Sequence, residues 1–182
     1  MSVSKKIIKF LEEAKIKYEL IEHRTVYTAY DKASTLKVPQ KTVGKTLLIK
    51  CDNQAVIVLI PANKNLAQLK FKKAINNWRK KQKEKSVKKI GFISEQWMKK
   101  NLKGIKVGAV PPFGNLWKMP TFAARELFNN PKIIVNSGEY NLSIKISPSS
   151  FKKLVSDLII GNFSESKKIK KAKRRTRKTK KK

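Results

Sequence analysis

Two apolar runs, Val43 to Lys50 and Ala55 to Ile60, stand almost back to back, with Cys51-Asp52-Asn53-Gln54 between them. Val, Ile and Leu dominate both runs, which favours pleated, buried strands, and four intervening residues suffice for a tight reversal. The pair reads as a β-hairpin, so at least one strand pair is antiparallel and the rest of the chain must cover a sheet.

The flanking periodicities supply that cover. Ile7, Ile8, Phe10, Leu11 and Ala14 recur at helical spacing behind Ser4, a suitable N-cap, which predicts an amphipathic helix over 4–15. Tyr18, Leu20 and His23 bracket a short strand. Thr28 with Asp31 three residues on forms a capping-box-like start for a helix through Leu36, ended near Pro39. Leu66, Leu69, Ala74, Ile75 and Trp78 predict a helix over 65–80, and Ser94 caps another running to Leu102. Strands are expected at Val107–Val110, Ile133–Asn136 and Leu142–Ile146, with a last helix over 149–160. The class is α+β: a mixed, barrel-like β-sheet flanked by helices, in a single domain with a disordered basic C-terminal tail.

The tail is assigned from composition. From Asn162 to Lys182 there are 12 Lys or Arg, one acid (Glu165) and almost nothing apolar, so burial cannot offset the entropy of ordering. The whole chain of 182 residues carries 44 Lys and Arg against 12 Asp and Glu, a net +32. Without the tail the balance is 32 against 11, a net +21, so the body is itself strongly basic. A codon bias toward lysine would raise Glu as well, yet Glu is scarce. Charge of this size recruits polyanions by counterion release, which makes a nucleic acid the expected partner and a membrane surface the weaker one. Between Lys64 and Lys89 stand 11 basic residues and one acid, Glu84. Lys70, Lys72, Lys73, Arg79 and Lys80 are the phosphate-facing candidates there, and Arg174 and Arg175 those of the tail.

Several chemistries are excluded. Cys51 is the sole cysteine and His23 the sole histidine, so neither an internal disulfide nor a Cys- or His-paired metal site is expected, and no cofactor is called for. Cys51 reads as a small core residue, and His23 as a packing or surface residue in preference to an acid-base group. Gly44-Lys45-Thr46 lacks the glycine that a phosphate-binding loop needs five positions earlier, where Pro39 stands, and it leads into a strand instead of a helix. No nucleophile elbow or dinucleotide fingerprint occurs. No apolar stretch approaches the roughly 18 residues of a membrane span, and the N-terminus lacks a signal-peptide run, so a cytoplasmic protein is expected.

Two segments invite a site. Lys45 begins a buried-looking strand, where an ammonium is costly unless it has a partner such as a ligand carbonyl, carboxylate or phosphate; snorkelling to the surface is the other outcome. Lys106-Val107-Gly108-Ala109-Val110-Pro111-Pro112-Phe113-Gly114 stops a short apolar run at two prolines framed by glycines. Proline removes donors and fixes φ, while glycine admits close approach, so this makes a stiff loop able to cradle a substrate or simply to turn. Tyr27 and Tyr30 are placed to stack on a base or to pack. Asn136-Ser137-Gly138 ends a strand as a pocket wall or a turn.

Taken in order, His23, Thr28-Ala29, Val43-Gly44-Lys45-Thr46-Leu47, Ile60-Pro61-Ala62, the Gly108 to Gly114 loop, Pro120-Thr121 and Asn136-Ser137-Gly138 resemble the YbaK/EbsC family. That family comprises free-standing aminoacyl-tRNA deacylases and the related editing domain of bacterial prolyl-tRNA synthetases. The resemblance spans about residues 4 to 160 and makes residues 1–161 an editing-type domain. It implies hydrolysis of the ester joining a wrongly attached amino acid to the tRNA 3′ end. Lys45 resembles the family's essential lysine, Gly108 and Pro112 the loop that holds the aminoacyl group and terminal adenosine, and Tyr30, Thr46, Asn136 and Gly138 the substrate pocket. A mischarged tRNA is then the partner, with a synthetase or the ribosome as further partners open to such a protein. The family often carries an Asp shortly after the Pro120-Thr121 position, where this chain has Ala123-Ala124. An RNA- or ribosome-binding protein of the same fold without catalysis is the competing reading.

Overall fold

The computed structural model describes residues 3–167. The expected hairpin is present: β2 (Gly44–Cys51) pairs antiparallel with β3 (Gln54–Pro61) through the whole of both strands, from Gly44 opposite Pro61 to Cys51 opposite Gln54. Around it the chain runs α1 (Val3–Glu13), β1 (Tyr18–Glu22), α2 (Ala29–Thr35), β2, β3, β4 (Lys64–Leu66), α3 (Gln68–Lys81), β5 (Ile90–Phe92), α4 (Glu95–Asn101), β6 (Thr121–Ala124), β7 (Ile133–Asn136), β8 (Leu142–Ile146), α5 (Pro148–Leu154), β9 (Ile159–Gly161) and β10 (Ser164–Ser166). α1 starts at Val3, so Ser4 lies inside it and is not its cap. Thr28 does cap α2, its hydroxyl accepting from the Asp31 N–H at 3.0 Å.

The fold is mixed α+β, as expected, but the strands do not close into a barrel. A five-stranded sheet of order β5-β2-β3-β6-β9 combines antiparallel pairs with the parallel pairs β3/β6 and β6/β9. A separate antiparallel sheet has the order β1-β8-β7, and one parallel bridge, Val43 to Ile134, links the two. The alternation of β3 explains why the large sheet is covered on both faces. Val56, Val58 and Ile60 pack with Phe71 and Ile75 of α3. Leu59 faces the other way, toward Ile7 and Leu11 of α1, Ile144 and Ile146 of β8, and Phe151 of α5. Trp78, Trp97 and Trp117 all pack against these clusters, and Cys51 is a buried core residue whose thiol burial pushes up to about 11.

Three boundaries differ from the sequence expectations. Val107–Val110 is no strand: Gly108 has φ +81° in a turn closed by the Ala109 N–H on the Lys106 carbonyl at 3.0 Å. The last helix ends at Leu154, and the apolar run Ile159–Gly161 lies beside β6 instead of extending it. A disordered tail from Asn162 starts too early. Phe163 is fully buried, edge-on to Phe71 at 5.5 Å between centroids, and β10 pairs antiparallel with β4. One aromatic ring outweighed the surrounding polarity because the β4/α3 junction offers it a pocket and the Ala67 N–H bonds to its carbonyl at 2.9 Å. The rest of the basic tail lies outside the described residues.

Candidate functional site

The half of β2 that carries Lys45 and Thr46 is an open edge. β5 joins β2 only at Ile49–Cys51, with the Ile93 N–H on the Leu48 carbonyl at 3.1 Å beyond it, so among the described residues Gly44–Leu47 have no ladder partner on that side beyond the single bridge at Val43. The two sheets diverge there and leave a cavity of about 220 Å³. Its walls are Val26 to Ala29 leading into α2, Lys32 on α2, Lys45 and Thr46 on β2, the Gly108-Ala109 turn, Asn136 at the end of β7, and Glu139.

Of the residues singled out in the sequence, Lys45, Thr46, Gly108 and Asn136 therefore meet at one site. The Lys45 ammonium donates to the Lys64 carbonyl at 2.8 Å, and burial, together with the Lys167 charge, lowers its pKa. The Thr46 hydroxyl is buried with no hydrogen-bond partner. Asn136 is buried and pins the turn, its amide donating to the carbonyls of Gly108 at 3.2 Å and Val110 at 3.3 Å. Val107 is held too, its carbonyl accepting from the Tyr140 hydroxyl at 2.8 Å. The N–H groups of Gly108 and Val110 are paired with none of the described residues. A rigid turn with a spare N–H at Gly108 beside a partly desolvated ammonium is suited to holding an ester carbonyl or an anionic oxygen.

Tyr30, Pro112 and Gly138 do not line the cavity. Tyr30 is exposed, with the Lys167 ammonium 5.8 Å above its ring centroid, Pro112 is buried behind the turn, and Gly138, at φ +103°, braces it by accepting the Lys106 N–H at 3.1 Å. His23 is a packing residue. Its Nδ1 lies 2.8 Å from the Arg24 carbonyl, which requires Nδ1 to donate, so in the neutral ring Nε2 accepts from the Ser143 hydroxyl at 2.8 Å.

Sequence reasoning misses Lys32. It is 4% exposed and donates to Asn136 Oδ1 at 2.5 Å, and burial lowers its pKa to about 8. A charge on a short amphipathic helix ordinarily reads as solvated. The available signal is position, since Ala29, Ala33 and Leu36 mark the packed face of α2 and Lys32 falls among them.

Among the basic candidates, Lys70, Lys73 and Lys80 are exposed on α3, and Lys72 is half-buried with its ammonium on the Lys88 carbonyl at 2.8 Å. Arg79 is not free to meet a phosphate. It is 8% exposed, donates to the Cys51 carbonyl at 3.2 Å and Gln54 Oε1 at 2.9 Å, and pairs with Asp52 and Glu84 at 3.5 Å each. It continues the buried stripe Phe71, Ile75 and ties α3 to the β2/β3 turn. Arg79→Ala is expected to destabilise the fold by about 3 kcal/mol in urea melts, because several buried acceptors lose their donor, and to leave RNA affinity of the folded protein unchanged. Arg174 and Arg175 lie outside the described residues.

The family model of the aminoacyl-tRNA editing domain matches residues 23–154, a span that includes every residue lining the cavity. No curated protein matches the chain. Among solved structures, the hypothetical protein APE2540 is 19% identical, with 88% of this chain and 99% of that one covered at a TM-score of 0.74. A protein described as a candidate trans-editing enzyme for prolyl tRNA synthetase is 15% identical, with 91% and 99% covered at a TM-score of 0.75. At these identities the likeness is one of fold.

Proposed function

The chain belongs to the aminoacyl-tRNA editing domain family, and we propose that it is a trans-acting deacylase that hydrolyses the ester between a wrongly attached amino acid and the 3′ end of a tRNA. The observation that carries this reading is the meeting of Lys45 and the Gly108 turn, more than 60 residues apart, on one small cavity. In the reaction, water adds to the ester carbonyl, the bond from that carbon to the ribose oxygen breaks, and the ribose oxygen takes up a proton. An aminoacyl ester is already activated, so orientation and stabilisation of the developing oxyanion supply the needed acceleration without a side-chain nucleophile. The unpaired Gly108 N–H and the Lys45 ammonium, both on the cavity wall, are the donors for that oxyanion, and the neighbouring ribose hydroxyl assists the attack.

Ala123 and Ala124, which replace an acid frequent in the family, are fully buried in β6 and do not line the cavity, so their apolar character removes no group from its wall. Incubation of the purified protein with Ala-, Cys- and Ser-charged tRNAs tests the assignment. Release of at least one amino acid well above the spontaneous rate is expected; tight binding with no hydrolysis of any would instead identify a non-catalytic RNA binder.

The tail has a place in this reading. The β10/β4 pairing carries Lys167 to the rim of the site, over Tyr30 and near enough to Lys45 to depress its pKa. The 11 further cations between Lys168 and Lys182 follow from that point in sequence. A deletion should start after Lys167, because removing Phe163 would open the core. Removal of 168–182 is expected to weaken tRNA binding and to flatten its log-log salt dependence by roughly 0.7 to 0.9 for each phosphate that the tail neutralises. An unchanged slope would assign the tail another task.

A further inference from the structure

The cavity holds a cation whose hydrogen-bonding capacity is mostly unused. The Lys32 ammonium has three donors, and one goes to Asn136 Oδ1. Asn136 presents that one oxygen, because the loop carbonyls of Gly108 and Val110 hold its amide nitrogen and fix the oxygen toward Lys32. No described carboxylate lies within ion-pair distance of Lys32, although the side chain is 4% exposed. A buried charge is ordinarily paired, and a buried donor left unmet is costly. The Thr46 hydroxyl, of another lining residue, is likewise buried and without a partner among the described residues. Charge adds to the case: the lining residues include two lysines, Lys32 and Lys45, and one acid, Glu139.

We propose that Lys32 is a specificity-determining residue, which makes the site select an aminoacyl group whose side chain ends in an oxygen acceptor, a carboxylate foremost, over an aliphatic one of the same size. The inference rests on the deacylase reading and names the substrate class of that same site. An aliphatic side chain in the cavity would cover the ammonium and leave its remaining N–H groups facing hydrocarbon. A carboxylate supplies both the missing acceptors and the missing charge, and it favours the protonated form of a lysine that burial alone holds near 8. Glu139 remains available to the substrate's α-ammonium. Sites built to hydrogen-bond a substrate group discriminate strongly against analogues lacking it, far beyond what a methyl-sized gap achieves.

The test uses one tRNA charged in turn with Asp, Asn and Leu, three side chains of similar size, and the full-length protein at pH 7. The wild type is expected to release Asp at least ~10-fold faster than Leu, with Asn between them. Lys32→Met should bring the three rates to within about threefold of one another by raising Leu and lowering Asp. Lys32→Gln, which keeps a neutral donor for Asn136, should retain Asn and lose the advantage of Asp, and it carries the comparison should the Met variant fail to fold by circular dichroism. Leu released as fast as Asp by the wild type, or an Asp-to-Leu ratio unmoved in a folded Lys32 variant, would overturn the inference while leaving the deacylase reading intact. If none of these esters nor those of Ala, Cys and Ser is hydrolysed, the deacylase reading itself falls and this inference falls with it.

Discussion

Lys45→Ala is expected to bring deacylation of a mischarged tRNA down to near the spontaneous rate. The ammonium is the cation that β2 places at the open edge beside the Gly108 turn, and burial already disfavours its charge, so its field is little screened there. Removing one donor to a developing oxyanion typically costs about 3 to 4 kcal/mol, a factor of about 100 to 1,000 in rate. The fold should tolerate the change. Lys45 is only half-buried, and among the described residues it makes no ion pair and one hydrogen bond, to the Lys64 carbonyl at the end of a short strand. Single-turnover hydrolysis alongside a thermal melt therefore separates the two effects: the rate collapses while the midpoint stays within a few degrees. Near-wild-type hydrolysis by the folded variant would sink the assignment of Lys45 and leave Lys32 as the cavity's remaining described cation.

What could be read from the sequence was whatever the local period or the local chemistry dictates. The hairpin followed from two β-branched runs and a four-residue gap, and α2 from a Thr and an Asp three positions apart, because both signals are complete within a few residues. β6 escaped because Thr121–Ala124 is buried on both faces and pairs parallel with β3 and β9, so it has no alternation and no turn to announce it. Val107–Val110 misled for the opposite reason: its apolar residues satisfy a strand pattern, but Gly108 takes a left-handed φ and the run becomes a turn. For the site, the cost of Lys45 at a strand start was legible from its own position. Its convergence with Gly108 followed only from the family resemblance, because the Val43 to Ile134 bridge that draws the two sheets together joins residues 91 positions apart. Lys32 and Arg79 were hidden by their charge, since side-chain type argued for solvent while helical position placed each on a packed face.

Gly114→Ala should be strongly destabilising, since of Gly44, Gly91, Gly108, Gly114 and Gly161 it is the one where an added Cβ meets the tightest contacts. A Cβ at that position would stand 2.1 Å from the Met119 carbonyl oxygen and 2.3 Å from Thr121 Oγ1, well inside van der Waals contact. Neither atom can yield cheaply. The Met119 N–H bonds back to the Gly114 carbonyl at 2.9 Å, the neighbouring Pro120 carbonyl accepts from Ile57 of β3 at 3.0 Å, and Thr121 Oγ1 itself accepts from the Gly114 N–H at 3.1 Å. Relief therefore requires the 114–119 loop to shift away from the centre of the large sheet. The adjacent Phe113 would go with it, although it is fully buried between Phe10 and Phe151 at 5.8 and 6.0 Å. Overpacking in a flexible surrounding costs about 1 to 3 kcal/mol; a backbone clash with three dependent hydrogen bonds belongs to the rarer class above about 4 kcal/mol. For a chain of this size that is a fall of about 10 °C or more in Tm, or failure to accumulate folded protein. Gly91→Ala is the matched control, because a Cβ there meets nothing within 4 Å on the edge strand β5, and its midpoint should stay within about 2 °C of wild type. Because the same loop continues from the Val110 carbonyl that Asn136 holds, whatever Gly114→Ala protein does fold should also hydrolyse aminoacyl-tRNA more slowly per folded molecule. Equal midpoints for the two alanine variants would mean that the Gly114 loop adapts freely and does not brace the Gly108 turn.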